Sequence, residues 1–79
     1  MGSCMYDLVS ILQTFGAKVR KCRQSKGLSQ MDLARSAGLH RTYVADVERG
    51  ARNCSMGSIA RIAAALEVTI SQLCRGIEG

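Results

Sequence analysis

The 79-residue sequence predicts an all-α fold, a compact bundle of five helices in a single domain spanning residues 1–79. Three observations predict it. Proline is absent and aromatic residues make up 4% of the chain, a composition that suits short helices better than a β-sandwich. Apolar residues recur at three- and four-residue steps in five separate stretches, the period of one buried helical face. Residues 27–50, GLSQMDLARSAGLHRTYVADVERG, carry the spacing of two short helices joined by a tight turn.

Leu8, Ile11, Leu12, Phe15, Val19 and Cys22 form the stripe of a first helix of about four turns, ended by Gly27. Its other face carries Lys18, Arg20, Lys21 and Lys26. Ser29 offers an N-cap, with Asp32 three residues on in a near capping-box arrangement. The second helix then runs from about Gln30 to Ala37 and buries Leu33, Ala34 and Ala37. Ala34 stands where only a small side chain lets a second helix cross closely. Gly38 supplies the positive φ of the turn. Leu39 plugs the core there, and His40 is the N-cap or the first residue of helix three. Helix three spans about Arg41 to Arg49, stops at Gly50 and buries Val44 and Val47. Arg41, Thr42, Ala45 and Asp46 then point outward. Ala51-Arg52-Asn53-Cys54 leads to a fourth helix capped by Ser55 or Ser58, with Ile59, Ile62, Ala63 and Leu66 as its stripe. Thr69 caps a short last helix with Ile70, Leu73 and Ile77 apolar, closing near Gly76.

Two helices at a steep angle around a small turn, here about residues 30–49, form a helix-turn-helix, whose second helix fits the major groove of DNA. The charge agrees with that geometry. The net charge is +5, and nine of the eleven Lys and Arg residues fall between positions 18 and 52, opposed there by Asp32, Asp46 and Glu48. Such a local excess favours a polyanionic partner through phosphate neutralisation and counterion release.

Other chemistries find little support. Cys4, Cys22, Cys54 and Cys74 make no CxxC pair, and the single His40 completes no zinc-ligand spacing with them. Cys22 reads as a small core residue, and Cys54 is the thiol nearest the DNA-facing loop. No secretory signal appears in the sequence, and Met1-Gly2-Ser3 fails as a myristoylation signal because position 6 is Tyr6. The apolar runs fall far short of the ~20 residues of a membrane span. A carboxylate pair, a Cys–His dyad and a phosphate loop are all missing, so the expectation is a cytoplasmic non-enzyme with no cofactor and no metal.

The motifs R-x-x-K-G-L-S-Q-x-D-L-A from Arg23, G-L-H-R-T-Y-V from Gly38, E-R-G from Glu48 and I-A-x-A-L-x-V from Ile62 together resemble the Cro/C1-type, or Xre-like, helix-turn-helix family. The match covers roughly residues 12–74. Within the family, the string RTYVADVERGARN is similar to that of controller proteins of restriction–modification systems. The resemblance implies a lambda-repressor-like DNA-binding domain acting as a sequence-specific transcriptional regulator. It implies a homodimer on a palindromic operator, controlling its own gene and a restriction endonuclease gene, with RNA polymerase a candidate further partner. A phage-type repressor, or an antitoxin or adaptor module acting through a protein partner, is the alternative.

Carried over position by position, Gln30 matches a phosphate-contacting glutamine at a helix N-terminus. Arg41 and Thr42 match the base-reading start of the recognition helix, and the Arg41 fork can bond guanine O6 and N7 together. Tyr43 matches a tyrosine lying against the backbone or central base pairs. Asp46, where glutamine or glycine is common, could accept from a cytosine amino group. Arg49, Arg52 and Asn53 match the backbone-gripping loop, while Arg35 and Ser36 stand between phosphate contact and plain exposure. Arg23 and Glu48 match an internal salt bridge. The dimerisation region falls at about 66–77, with Leu66, Val68, Ile70 and Leu73 as its contacts.

Overall fold

A computed structural model of the chain describes residues 8–74. Five helices follow in order: α1 Leu8–Ser25, α2 Gln30–Ala37, α3 Arg41–Glu48, α4 Met56–Leu66 and α5 Ile70–Cys74, with no strand among the described residues. The expectations placed on Cys4, Gly76 and Ile77, and on residues 1–4 generally, lie outside the described residues.

The first helix is longer than its apolar stripe suggests. Its 18 residues make about five turns, because nothing between Cys22 and Ser25 breaks a helix. The helix ends are built alike. Gly27, Gly38 and Gly50 follow α1, α2 and α3 with φ near +70°. The amide of the residue after each glycine reaches back to a carbonyl of the helix's last turn: Leu28 to Arg23, Leu39 to Ala34 and Ala51 to Asp46. That is the Schellman closure, which needs a left-handed residue and so favours glycine. Glu67 closes α4 in the same way at φ 61, with Val68 donating to Ala63, and is the one non-glycine among the described residues with positive φ. Side chains cap the starts of α2, α4 and α5. Ser29 and Asp32 exchange hydrogen bonds in a full capping box, and those bonds hold the Asp32 carboxyl below the usual carboxylate range. Ser55 rather than Ser58 caps α4, and Thr69 and Gln72 form a second reciprocal pair at α5. His40 caps α3 without a side-chain hydrogen bond.

The core is apolar throughout. Phe15 and Val19 of α1 meet Leu33 and Ala34 of α2, Val44 and Val47 of α3, Ile62, Ala63 and Leu66 of α4, and Leu73 of α5. Ile11, Leu12 and Cys22, at the ends of the α1 stripe, are half-buried. A residue the sequence reading passed over sets the crossing of α1 and α3. A Cβ on Gly16 would lie 2.2 Å from the carbonyl oxygen of Val47, so the two backbones touch there. Gly50 faces the same helix, and a Cβ on it would lie 2.9 Å from the Gln13 Cα.

The packing divides the residues expected at a two-fold contact. Leu66 and Leu73 are fully buried inside the protomer and offer no atom to a partner. They close the chain's own core, because α5 folds back over α1 and α4. Val68 is half-buried against that core, and Ile70 remains 37% exposed.

Candidate nucleic-acid interface

The turn at Gly38 sends α3 across α2, and Val44 and Val47 fix which side of α3 faces inward. The opposite side opens with Arg41 and Thr42, both exposed in the first turn. Arg35 of α2 joins Arg41 and His40 around one shallow depression, floored by Met31, Ala34 and Leu39. The turn itself is braced from α4, where Arg61 Nη1 donates to the Gly38 carbonyl at 3.4 Å.

Behind this surface a hydrogen-bonded triad, built on one ion pair, ties three elements together. Arg23 of α1 meets Glu48 of α3 through two bonds, Nε to Oε2 at 2.6 Å and Nη2 to Oε1 at 3.1 Å. Its third nitrogen, Nη1, donates to the Leu28 carbonyl at 2.7 Å. The side chains of Arg23 and Glu48 are 11% and 4% exposed, and the bond from Glu48 raises the Arg23 pKa against the opposing effect of burial. Gln30 joins them, its Nε2 donating to Glu48 Oε1 at 3.1 Å. The first side chain of α2 is thus held by the last residue of α3, and one amide hydrogen of Gln30 is already committed.

The far end of α3 carries a second network. Asp46 Oδ1 accepts from Arg49 Nη2, and Oδ2 faces Arg52 Nη2 at 3.5 Å. These arginines, Arg49 first, hold the Asp46 carboxyl below its ordinary pKa. The Arg52 guanidinium lies over the Tyr43 ring, 4.6 Å from its centroid. Cys54 follows; burial pushes its thiol pKa up, outweighing a hydrogen bond with Tyr43, so the group is not an activated thiolate.

Two of the residues singled out in the sequence stand apart. Ser36 opens onto a different depression, shared with Lys26, Leu28, Ala65 and Glu67, rather than the one between Arg35 and Arg41. Asn53 is exposed, but it sits at the mouth of an apolar cleft lined by Ile11, Leu12, Phe15, Cys54, Ile59 and Cys74. The signal for Gly16 was available as a glycine inside an apolar helical stripe, where it costs ~1 kcal/mol against alanine and so needs a packing reason. Arg61 gave no such signal. Among the described residues no group of His, Cys, Asp or Glu could hold a metal ion, and no helix is long and apolar enough to cross a membrane.

Comparison with known proteins points the same way. The family described as a helix-turn-helix domain matches residues 14–76. The control protein C.BamHI of Bacillus amyloliquefaciens is 53% identical over 55 residues, which is 68% of this chain and 68% of that protein. The control protein C.SmaI of Serratia marcescens is 39% identical over 70 residues, 89% of this chain and 80% of that one. Among solved structures, the restriction–modification controller protein C.AhdI from Aeromonas hydrophila superposes with a TM-score of 0.78 at 47% identity, covering 78% of this chain and 94% of that chain.

Proposed function

Because the chain belongs to the helix-turn-helix family of DNA-binding transcription regulators, alongside the control proteins of restriction–modification systems, we propose that it binds a palindromic operator as a homodimer. The family's members are regulators rather than enzymes. In this reading the operator governs the protein's own gene and a restriction endonuclease gene, and RNA polymerase is the partner that an activating complex needs.

The observation that carries the proposal is the exposed first turn of α3, where Arg41 and Thr42 project from a helix whose last residue is tied to α1 and α2 through Arg23 and Gln30. Arg41 reads a guanine through its planar fork, and Thr42 contacts a neighbouring base edge. Gln30, Arg35 and Arg49 grip phosphates on either side, aided by the positive end of α2. Tyr43 and Asn53 lie against the sugar–phosphate backbone. Two copies, joined in part through Val68 and Ile70, set their α3 helices ~34 Å apart, one turn of duplex.

Selection from a random duplex library at near-physiological salt tests this. The expected product is a two-fold symmetric site with half-sites about one turn apart. Arg41→Ala then loses ~1–3 kcal/mol of discrimination at one base position per half-site. No enrichment over the starting pool would overturn the reading in favour of a module whose partner is another protein.

A further inference from the structure

Asp46 lies in the second half of α3 beside the proposed DNA-reading face, yet it is not a free carboxylate. One oxygen accepts from Arg49, and the other faces Arg52. Tyr43, one turn earlier on the same helix, covers the Arg52 guanidinium with its ring. Carboxylate and ring therefore form two walls around a single guanidinium. Arg49 and Arg52 stay 67% and 45% exposed, so both remain open to an incoming ligand.

A negative charge on a surface meant for a polyanion weakens every phosphate contact near it. Stability accounts for little of it, since pairs whose arginines are 67% and 45% exposed are screened by water and each contributes little to the fold. A cytosine amino group would have to share an oxygen that already accepts from Arg49 or faces Arg52, so base reading competes with the two guanidiniums for one carboxylate. Resting on the DNA-binding function above, we infer that Asp46 is a positioning residue for specificity: it holds Arg52, and Arg49 with it, away from indiscriminate phosphate contact. A duplex then draws these arginines off the carboxylate only where it offers well-placed acceptors. Holding Arg52 between Asp46 and Tyr43 also lowers the ordering cost of using it at the correct site.

Asp46→Asn keeps the size of the side chain and removes its charge. Affinity for a selected duplex and for a scrambled duplex of the same composition is measured across a salt series, for the wild type, D46N, Arg52→Ala and the double variant. For D46N, scrambled-duplex binding strengthens and its salt dependence steepens as more phosphates are neutralised. Binding to the selected duplex gains less, so the ratio of the two falls about tenfold, or ~1.4 kcal/mol. In the R52A background the same change moves the ratio less than it does in the wild type, since Arg49 alone is then released from the carboxylate. If D46N strengthens both duplexes equally, Asp46 only repels phosphate and the inference fails. If it relaxes one base position independently of Arg52, Asp46 reads a base and the inference also fails. A wild-type ratio near one would remove the DNA-reading function itself and this role with it, which separates the two failures.

Discussion

At the scale of single residues, the Arg23–Glu48 pair shows how a charged contact can be structural on a DNA-binding surface. Its two bonds are nearly shielded from water, and the Glu48 carboxylate also holds Gln30. Exposed pairs contribute ~0–1 kcal/mol, but removing one member of a shielded pair strands the other, at ~3–5 kcal/mol. Glu48→Ala is therefore expected to lower the unfolding free energy by about that amount in urea titration. Arg23→Ala should cost a similar amount, and Arg23→Met with Glu48→Leu should recover much of the loss, since an apolar replacement leaves no charge without a partner. A change under ~1 kcal/mol for either single variant would show that water reaches the pair. The two residues stand 25 apart in sequence. No periodicity links them, and only the family resemblance pointed to the contact. The Asp46–Arg52–Tyr43 network was equally hidden, because it depends on where the loop after α3 returns.

At the scale of elements, most of the architecture was legible. Capping residues, turn glycines and apolar spacing are local signals, and they placed α2 to the residue and buried Leu33, Ala34 and Ala37 as expected. The crossing of α1 over α3 was not legible, because a close approach depends on two segments that are distant in sequence. Gly16 carries that crossing. In a solvent-facing helix, replacing glycine by alanine gains ~0.5–1 kcal/mol. At position 16 the new methyl would sit 2.2 Å from the Val47 carbonyl oxygen and 2.8 Å from that of Glu48, both backbone atoms with no rotamer to yield. Overpacking of this kind costs ~1–3 kcal/mol, so the steric loss outweighs the helical gain. Gly16→Ala is expected to be destabilising in chemical denaturation and, by shifting the end of α3, to weaken specific DNA binding as well. A variant as stable as the parent would mean that the two helices can move apart freely.

At the scale of the whole molecule, two properties remain to be reconciled: a concentrated positive charge and an apolar end. Nine of eleven basic residues fall in the segment that carries the proposed DNA face, and the chain is otherwise nearly balanced. The family resemblance placed the apolar residues of α5 and its approach in a two-fold interface, with closure of the protomer's own core as the other reading, above all for Leu73. Periodicity reports that a face is apolar, however, and not whether the same chain or a second copy covers it. The fold divides the set. Leu66 and Leu73 serve the protomer, while Ile70 stays 37% exposed at the start of α5 beside half-buried Val68. Mutation can separate these two roles. Leu73→Ala empties part of the core and is expected to cost ~2–5 kcal/mol at every protein concentration. Ile70→Ser removes an exposed apolar group and should leave the protomer's unfolding unchanged at high dilution. If α5 forms the two-fold contact, the same substitution shifts the dimer–monomer equilibrium toward monomer in sedimentation. Operator binding then becomes steeply dependent on protein concentration, since each half-site must be filled separately. An Ile70→Ser variant that sediments as the parent does would place the two-fold contact elsewhere on the chain.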